Sequence, residues 1–388
     1  MKKSILLLSV IGTTFFVGCA RHGSNDSITC INRQEIEEEK YLSSVFKNSK
    51  IIRLETTEES LIGHRINKIK KVNGNYFISY NDLALVVFDN QGKFLYKIQR
   101  EGNGPGEYIM LQDFDILPSG NIVITDSRKL LFYSSTGEFI KTVPMDIICF
   151  NLKAIDEDNF LIRASRADYI VYLINAKGDI LSKQLERNDL TVLGRGVSFY
   201  ALDNDRILYQ REVTNDFLLY NTKRKDFINI NLLCDEDHIL SIETVNKHKK
   251  MDQRFDGLSY ADENPSVKAI NGIALSDDHL LFFVGQPPSG YKCYIMNTST
   301  NKIISLLTEI TTDDICFTRN LFAPLLYSTR ISDNNECLIA YVWPYQIIDG
   351  LNENIKLNEH PNYQRLRSLF KDTQDIENEN PVLIELRR

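Results

Sequence analysis

The chain has 388 residues, with 45 basic and 52 acidic side chains for a formal net charge of −7, and 43% of its positions are hydrophobic. That balance supports a large core and excludes collagen-like, coiled-coil and low-complexity classes, since Gly numbers 19, Pro 10 and no heptad run persists. The acidic excess and the lack of a Lys/Arg block exclude a nucleic-acid binder, which needs a basic footprint for phosphate.

Residues 1–19 read MKKSILLLSVIGTTFFVGC. Lys2 and Lys3 make a positive start, and the 13 residues from Ile5 to Val17 are too few to span a bilayer, which takes ~20 helical residues. A secretory signal over residues 1–18 is predicted. It closes on Phe16-Val17-Gly18-Cys19, which resembles the lipobox of bacterial lipoproteins, with Phe16 where leucine is usual. That resemblance implies cleavage before Cys19 and diacylglycerol on its thiol; the alternative is an ordinary signal with an incidental cysteine. Two acyl chains anchor stably where one is marginal, each buried methylene contributing about 0.8 kcal/mol.

Loss of Lys2 and Lys3 takes the net charge from −7 to −9. Residues 19–47 then read as a lipidated tether, acidic at Glu35, Glu37, Glu38 and Glu39, with helical spacing around Gln34–Phe46. No later segment has 18 apolar residues in a row, so the lipid is the membrane contact expected. The expected location is the cell envelope, on the periplasmic or surface face of the outer membrane. Cys30, Cys149, Cys234, Cys293, Cys316 and Cys337 remain, without a C-x-x-C; Cys149, Cys293 and Cys337 sit in apolar runs and read as buried free thiols.

From residue 66 onward the chain repeats itself. Segments 76–98, 121–143, 159–185, 206–230 and 279–307 each hold two β-branched or aromatic runs about a polar loop, then a turn and a third run. The turns Asp89-Asn-Gln-Gly92, Ser134-Ser-Thr-Gly137 and Asn175-Ala-Lys-Gly178 place glycines 45 and 41 residues apart, where a tight hairpin needs positive φ. In the fourth and fifth copies Arg224 and Asn301 stand near that place. Another run precedes each unit, at 66–72, 113–118, 149–156, 197–203 and 267–276. Four strands per period of roughly 40–45 residues make the antiparallel blade of a β-propeller.

Five units are complete. A sixth is assembled from an inner strand in 320–332, ECLIAYVW (336–343), a helical detour over about 344–379, PVLIEL (381–386) and the early run IIRLET (51–56) as outer strand. The fold class is therefore all-β: a six-bladed propeller of four-stranded antiparallel blades over 48–388, closed by pairing of an N-terminal strand with the C-terminal blade. The insertion 235–265 interrupts the spacing of blades four and five and carries the basic cluster His248-Lys249-Lys250. IIRLETTEESLIG (51–63), REGNGPGEY (100–108) and NPVLIELRR (380–388) resemble a family of six-bladed β-propeller lipoproteins of Bacteroides-type gut bacteria, related to NHL-repeat propellers. The resemblance implies fold, export and anchoring, and transfers no catalytic residue.

In a propeller the loops entering each inner strand share one face with those joining second and third strands, around a central funnel. The spacing puts Arg100, Glu107 and Tyr108 there from the GPGEY loop, and Asn81, Asp82, Asp126, Arg128, Arg166, Asp168, Arg211 and Tyr291 from the second-to-third-strand loops. Guanidinium groups fork to carboxylates and rings stack, which suits a glycan, peptide or envelope-protein partner. The plain alternative is a set of ordinary solvated loop residues, with glycines that only shape a turn. The GPGEY loop is no phosphate cradle, because no Lys-Ser/Thr follows and a strand comes next. No cofactor is assigned: the six His have no ligand spacing for zinc, and no G-x-S-x-G elbow occurs. The primary expectation is a monomeric, non-enzymatic, lipid-anchored binding module. The alternatives are a hydrolase or lyase with funnel carboxylates, with or without Ca²⁺, for which Asp115 and Asp126 are candidate oxygen ligands, and a structural envelope component with an apolar patch away from the funnel.

Overall fold

Short runs of β-branched and aromatic residues form antiparallel strands throughout the chain; the middle strands of the first two blades are buried at almost every position because neighbouring blades cover both faces, whereas the outer strands are largely half-buried or exposed. The computed structural model describes residues 26–29, 38–186, 199–202, 205–210, 216–233, 269–276, 279–286, 290–297, 300, 302–308, 311–318, 337–371 and 376–387. In chain order, β1 (Asp26–Thr29), helix α1 (Leu42–Val45) and β2 (Asn48–Arg53) come first. Blade one is β3 (Ile66–Val72), β4 (Asn75–Tyr80), β5 (Ala84–Phe88) and β6 (Phe94–Ile98). Blade two is β7 (Asp113–Ile116), β8 (Ile122–Asp126), β9 (Lys129–Tyr133) and β10 (Phe139–Pro144). Blade three is β11 (Ile148–Ala154), β12 (Asn159–Ser165), β13 (Tyr169–Asn175) and β14 (Ile180–Glu186). Blade four is β15 (Phe199–Ala201), β16 (Arg206–Gln210), β17 (Asp216–Asn221) and β18 (Asp226–Leu233). Blade five is β19 (Ala269–Ser276), β20 (His279–Gln286), β21 (Gly290–Asn297) and β22 (Lys302–Leu307). The sixth holds β23 (Leu338–Val342), helices α2 (Pro344–Glu353) and α3 (Pro361–Leu369), and β24 (Val382–Arg387).

Each of the first five units is a meander in chain order, and the sixth sheet has described strands in the order β2–β24–β23. β2 closes the ring against β24, with Ile51 opposite Ile384 and Ile52 opposite Leu383. The result is the expected six-bladed propeller with its N-terminal strand in the last blade. That strand begins three residues earlier than the 51–56 run and ends at Arg53. The expected inner strand in 320–332 and the insertion 235–265 lie outside the described residues.

Alternate side chains serve opposite junctions. Val86 and Phe88 pack with Ile339 and Leu383 of blade six, whereas Leu85 and Val87 pack with Phe114 and Ile124 of blade two. Equivalent clusters fill the junctions of blades two with three, three with four, four with five and five with six. The expected tether over 19–47 is shorter on the folded side. Leu42, Val45 and Phe46 are buried with residues of blades five and six, and Ser43 N–H donates to Asp314 Oδ1 at 2.9 Å. Their i, i+3, i+4 spacing makes an apolar stripe that the acidic run before it obscures in the sequence.

The recurring turns are built alike. Asp89, Ser134 and Asn175 each accept two backbone N–H bonds across the turn with a side-chain oxygen. Gly92, Gly137 and Gly178 follow at φ +84°, +83° and +88°. A Cβ on Gly92 would collide with the Arg53 carbonyl, and one on Gly178 would sit 2.6 Å from the Pro144 oxygen, so these turns also press on the preceding blade's outer strand. In blade four Asn221 still accepts from Lys223 and Arg224, but Lys225 takes the positive φ of 57°. The outer strands differ in regularity. β6, β10, β14 and β22 shift register after their turns, leaving Leu95, Ile140, Leu181 and Ile304 unpaired, while β18 and β2 pair without a shift. β1 lies parallel against β18, Asp26 opposite Ile230.

Glu385 of β24 pins the closing blade to blade one. Its Oε1 accepts from Lys71 Nζ at 2.5 Å and Tyr76 OH at 2.6 Å, and its Oε2 lies 3.2 Å from Arg387 Nη2. Burial pushes this carboxyl up, but Lys71, Tyr76 and Arg387 together outweigh burial and hold it below the ordinary carboxylate value. The ionised form therefore stabilises the fold fully above the unfolded pKa, and this contribution is lost as pH falls through the lower folded value. Denaturation of the wild type should show stability falling below about pH 4.3, the unfolded glutamate value. Glu385→Gln should flatten that limb and cost about 3–5 kcal/mol at neutral pH, because Lys71 is left without its partner.

Candidate functional site

The central channel is walled by the inner strands, and its best-defined feature is a set of carboxylates at two-residue spacing. Asp113 Oδ1 accepts from Lys68 Nζ at 2.8 Å, and its Oδ2 accepts from Leu152 N–H at 2.8 Å. Asp115 pairs with Lys70, accepts from Ala154 N–H at 2.8 Å and lies 3.7 Å from Lys153 Nζ. Side chains two apart on a strand point the same way, so each aspartate reaches from blade two to a lysine of blade one and an N–H of blade three. Both carboxylates are buried and spent on these bonds. The suggestion that Asp115 and Asp126 hold Ca²⁺ does not fit this geometry, and among the described residues no group of three His, Cys, Asp or Glu could hold a metal ion.

The funnel face is formed by the connections above these strands. The GPGEY loop is clamped from within. Tyr108 N–H donates to Arg100 O at 2.9 Å, Gly102 N–H to Tyr108 O at 3.1 Å, and Glu107 Oε2 accepts from Gly104 N–H at 2.8 Å. Gly106 has φ +74°, and a Cβ there would meet the Phe139 ring. Tyr133 OH donates to Gly106 O at 2.8 Å and Lys129 Nζ to Glu107 O at 2.9 Å. Burial pushes the Tyr133 hydroxyl up to about 12, so it remains a donor at all ordinary pH.

The expected ligand residues separate on this evidence. Tyr108 is fully buried and donates its hydroxyl to Leu83 O at 2.7 Å and Ile98 O at 3.1 Å, so it is a packing residue, not a displayed ring. Asp126 is buried, accepting from Ile109 N–H at 3.0 Å and pairing with Lys129 at 3.1 Å. Glu107 is half-buried against its own glycines. Arg100 is exposed with its guanidinium over the Tyr133 ring, and Arg128 is exposed while donating to Asp146 O at 2.5 Å. Arg166, at φ 51°, and Asp168 are exposed in the equivalent turn of blade three. Tyr291 lies in β21 opposite Gly285, and Arg211 falls outside the described residues.

Four apolar residues missed by the charge-based reading are displayed on this face. Ile109, directly after GPGEY, is 62% exposed, with Met110 beside it. Phe150 is set outward by a register shift in β11 and carries the Arg163 guanidinium over its ring at 5.7 Å. Leu61 is exposed in the loop entering β3. An apolar residue following a clamped polar loop was the available signal. Cys149, Cys293, Cys316 and Cys337 are buried free thiols; burial raises the first three well above ordinary thiol values, which removes them as nucleophiles.

Six blades stacked around a channel, with clamped loops on one face, define the protein as a six-bladed β-propeller. The chain belongs to the family described as domain of unknown function DUF4934, whose sequence profile matches residues 27–387. It is similar in structure to a Bacteroides fragilis protein named as a candidate exported protein, at 16% identity and TM-score 0.73, over 93% of this chain and 99% of that one. A Bacteroides caccae protein of unknown function aligns at 14% identity and TM-score 0.41, over 63% of this chain and 81% of that one. BamB from Moraxella catarrhalis aligns at 13% identity and TM-score 0.39, over 66% of each chain. No curated relative matches the chain in sequence.

Tyr108→Phe removes the buried hydroxyl whose one proton the Leu83 and Ile98 carbonyls share. Chemical denaturation should show a loss of about 1–3 kcal/mol, with the melting transition still cooperative.

Proposed function

We propose that this protein is an exported, lipid-anchored binding module whose funnel face holds an extended polypeptide. The observation that carries the reading is the exposure of Ile109 and Met110 directly after the internally clamped GPGEY loop, with Leu61 exposed in the loop entering β3, Phe150 in β11, and Arg166 and Asp168 in the turn of blade three. Exposed apolar side chains and opposite charges displayed on one face suit a peptide's alternating side chains better than the flat polar face of a sugar. Preformed loops also reduce the ordering cost of binding. Asp113, Asp115 and Asp126 are engaged in ion pairs and backbone hydrogen bonds, which argues against their use as acids or bases in the hydrolase reading.

Export is supported by the signal-like residues 1–18 and by the name of the Bacteroides fragilis neighbour. Among the described residues no helix is long and apolar enough to cross a membrane. In this reading Cys19 carries the lipid, the protein acts as a monomer at the outer membrane, and its blades are of the NHL-repeat kind.

Cys19→Ala should move the protein from the membrane to the soluble fraction; unchanged fractionation removes the anchor. Peptide and glycan arrays probed with the full chain should give peptide hits. Met110→Asp with Arg166→Glu should weaken those hits at least ~10-fold, the size expected for central anchors, without changing the melting temperature. Hits confined to glycans, or hits indifferent to both substitutions, would refute the polypeptide reading.

A further inference from the structure

A recess of about 450 Å³ lies where the closing blade meets α3 and the segment before β2. It is remote from the funnel. The connection from β23 to β24 leaves at the funnel face, so the 385–387 end of β24 and the paired start of β2 lie at the opposite face. Lys47, Lys50, Arg365 and Arg387 line it, together with Phe46 and Ile315. Four cations around one recess are out of keeping with a chain in which acids outnumber bases 52 to 45.

The acid in the lining, Glu385, answers only Arg387 among them. Its two oxygens are taken by Lys71, Tyr76 and Arg387, so its charge is balanced by one cation from outside the recess and one within it. Lys50 Nζ donates to the Asn90 carbonyl at 2.7 Å, which satisfies a hydrogen bond but leaves the positive charge standing. Among the described residues Lys47 and Arg365 make no ion pair. Like charges held around a concavity repel one another, and their field draws in an anion. The volume is that of a small-molecule pocket, roughly 300–1,000 Å³. A guanidinium pairs its fork with a carboxylate or phosphate, while Phe46 and Ile315 offer carbon surface for an organic body.

We propose that this recess binds a small organic polyanion bearing two or more carboxylate or phosphate groups, with Arg365 and Lys47 as its principal ligands. Titration calorimetry on the full chain tests it with citrate, pyrophosphate and sodium chloride at matched ionic strength, beside vesicles containing phosphatidylglycerol. Saturable binding of citrate or pyrophosphate is expected, and the stronger of the two identifies the anionic group. Arg365→Gln with Lys47→Gln should weaken that binding at least 10-fold while leaving the melting temperature without probe unchanged. Should the double variant melt lower, Lys47→Gln alone serves, with about threefold weakening expected. Binding no stronger than chloride, binding indifferent to the substitutions, or binding to vesicles alone would overturn the proposal.

Discussion

The ring is held at its axis by side chains that do the work of a missing strand. An inner strand has a neighbour on its outer side but bare N–H groups toward the channel. Asp113 and Asp115 meet this need for blade three by reaching across to the N–H groups of Leu152 and Ala154, two residues apart like themselves. Lys68 and Lys70, again two apart, balance the charge from blade one. The period of the β-strand thus aligns three blades in one register. Removing a single partner would leave a buried charge unanswered, at a cost of about 3–5 kcal/mol. The funnel loops of blades one to three therefore keep a fixed spacing, which is what gives their displayed residues a defined shape.

Much of this architecture could be read from the chain because it rests on local chemistry. Gly92, Gly137 and Gly178 announce their turns, since no other residue takes that backbone as readily. Closure by the Ile51 and Leu383 strands was legible because an unmatched outer run at the start answered an incomplete blade at the end. The candidate site was legible only as a place. Tyr108 and Asp126 are polar loop residues like Arg166, and nothing in their type says that the first two turn inward. Direction depends on what lies opposite, here the Leu83 and Ile98 carbonyls and the Ile109 N–H, which are distant in sequence or hidden in backbone. Phe150 escaped notice for a related reason: a one-residue register shift turns it to solvent, and strand alternation alone does not disclose that.

The two faces of the molecule differ in chemistry. The funnel side mixes aliphatic and charged groups on clamped loops, while the recess under the closing blade is cationic with a small apolar floor. Glu385 links them to the fold's integrity: the ion cluster that joins blade six to blade one also sets Arg387 at the recess. Ring closure and the electrostatics of the far face thus share one buried carboxylate.

The pairing of β1 with β18 has a consequence for how the molecule meets its neighbours. β18 is a straight, unkinked border that would otherwise offer its hydrogen-bonding groups to any passing strand, the starting point of sheet-to-sheet polymerisation. The chain spends its own leading segment as a guard on that border. With the proposed lipid on Cys19, only six residues would separate the acylated cysteine from Asp26. At full stretch that leash measures about 25 Å, which in the proposed lipidated form would keep the fourth wedge within that distance of the bilayer.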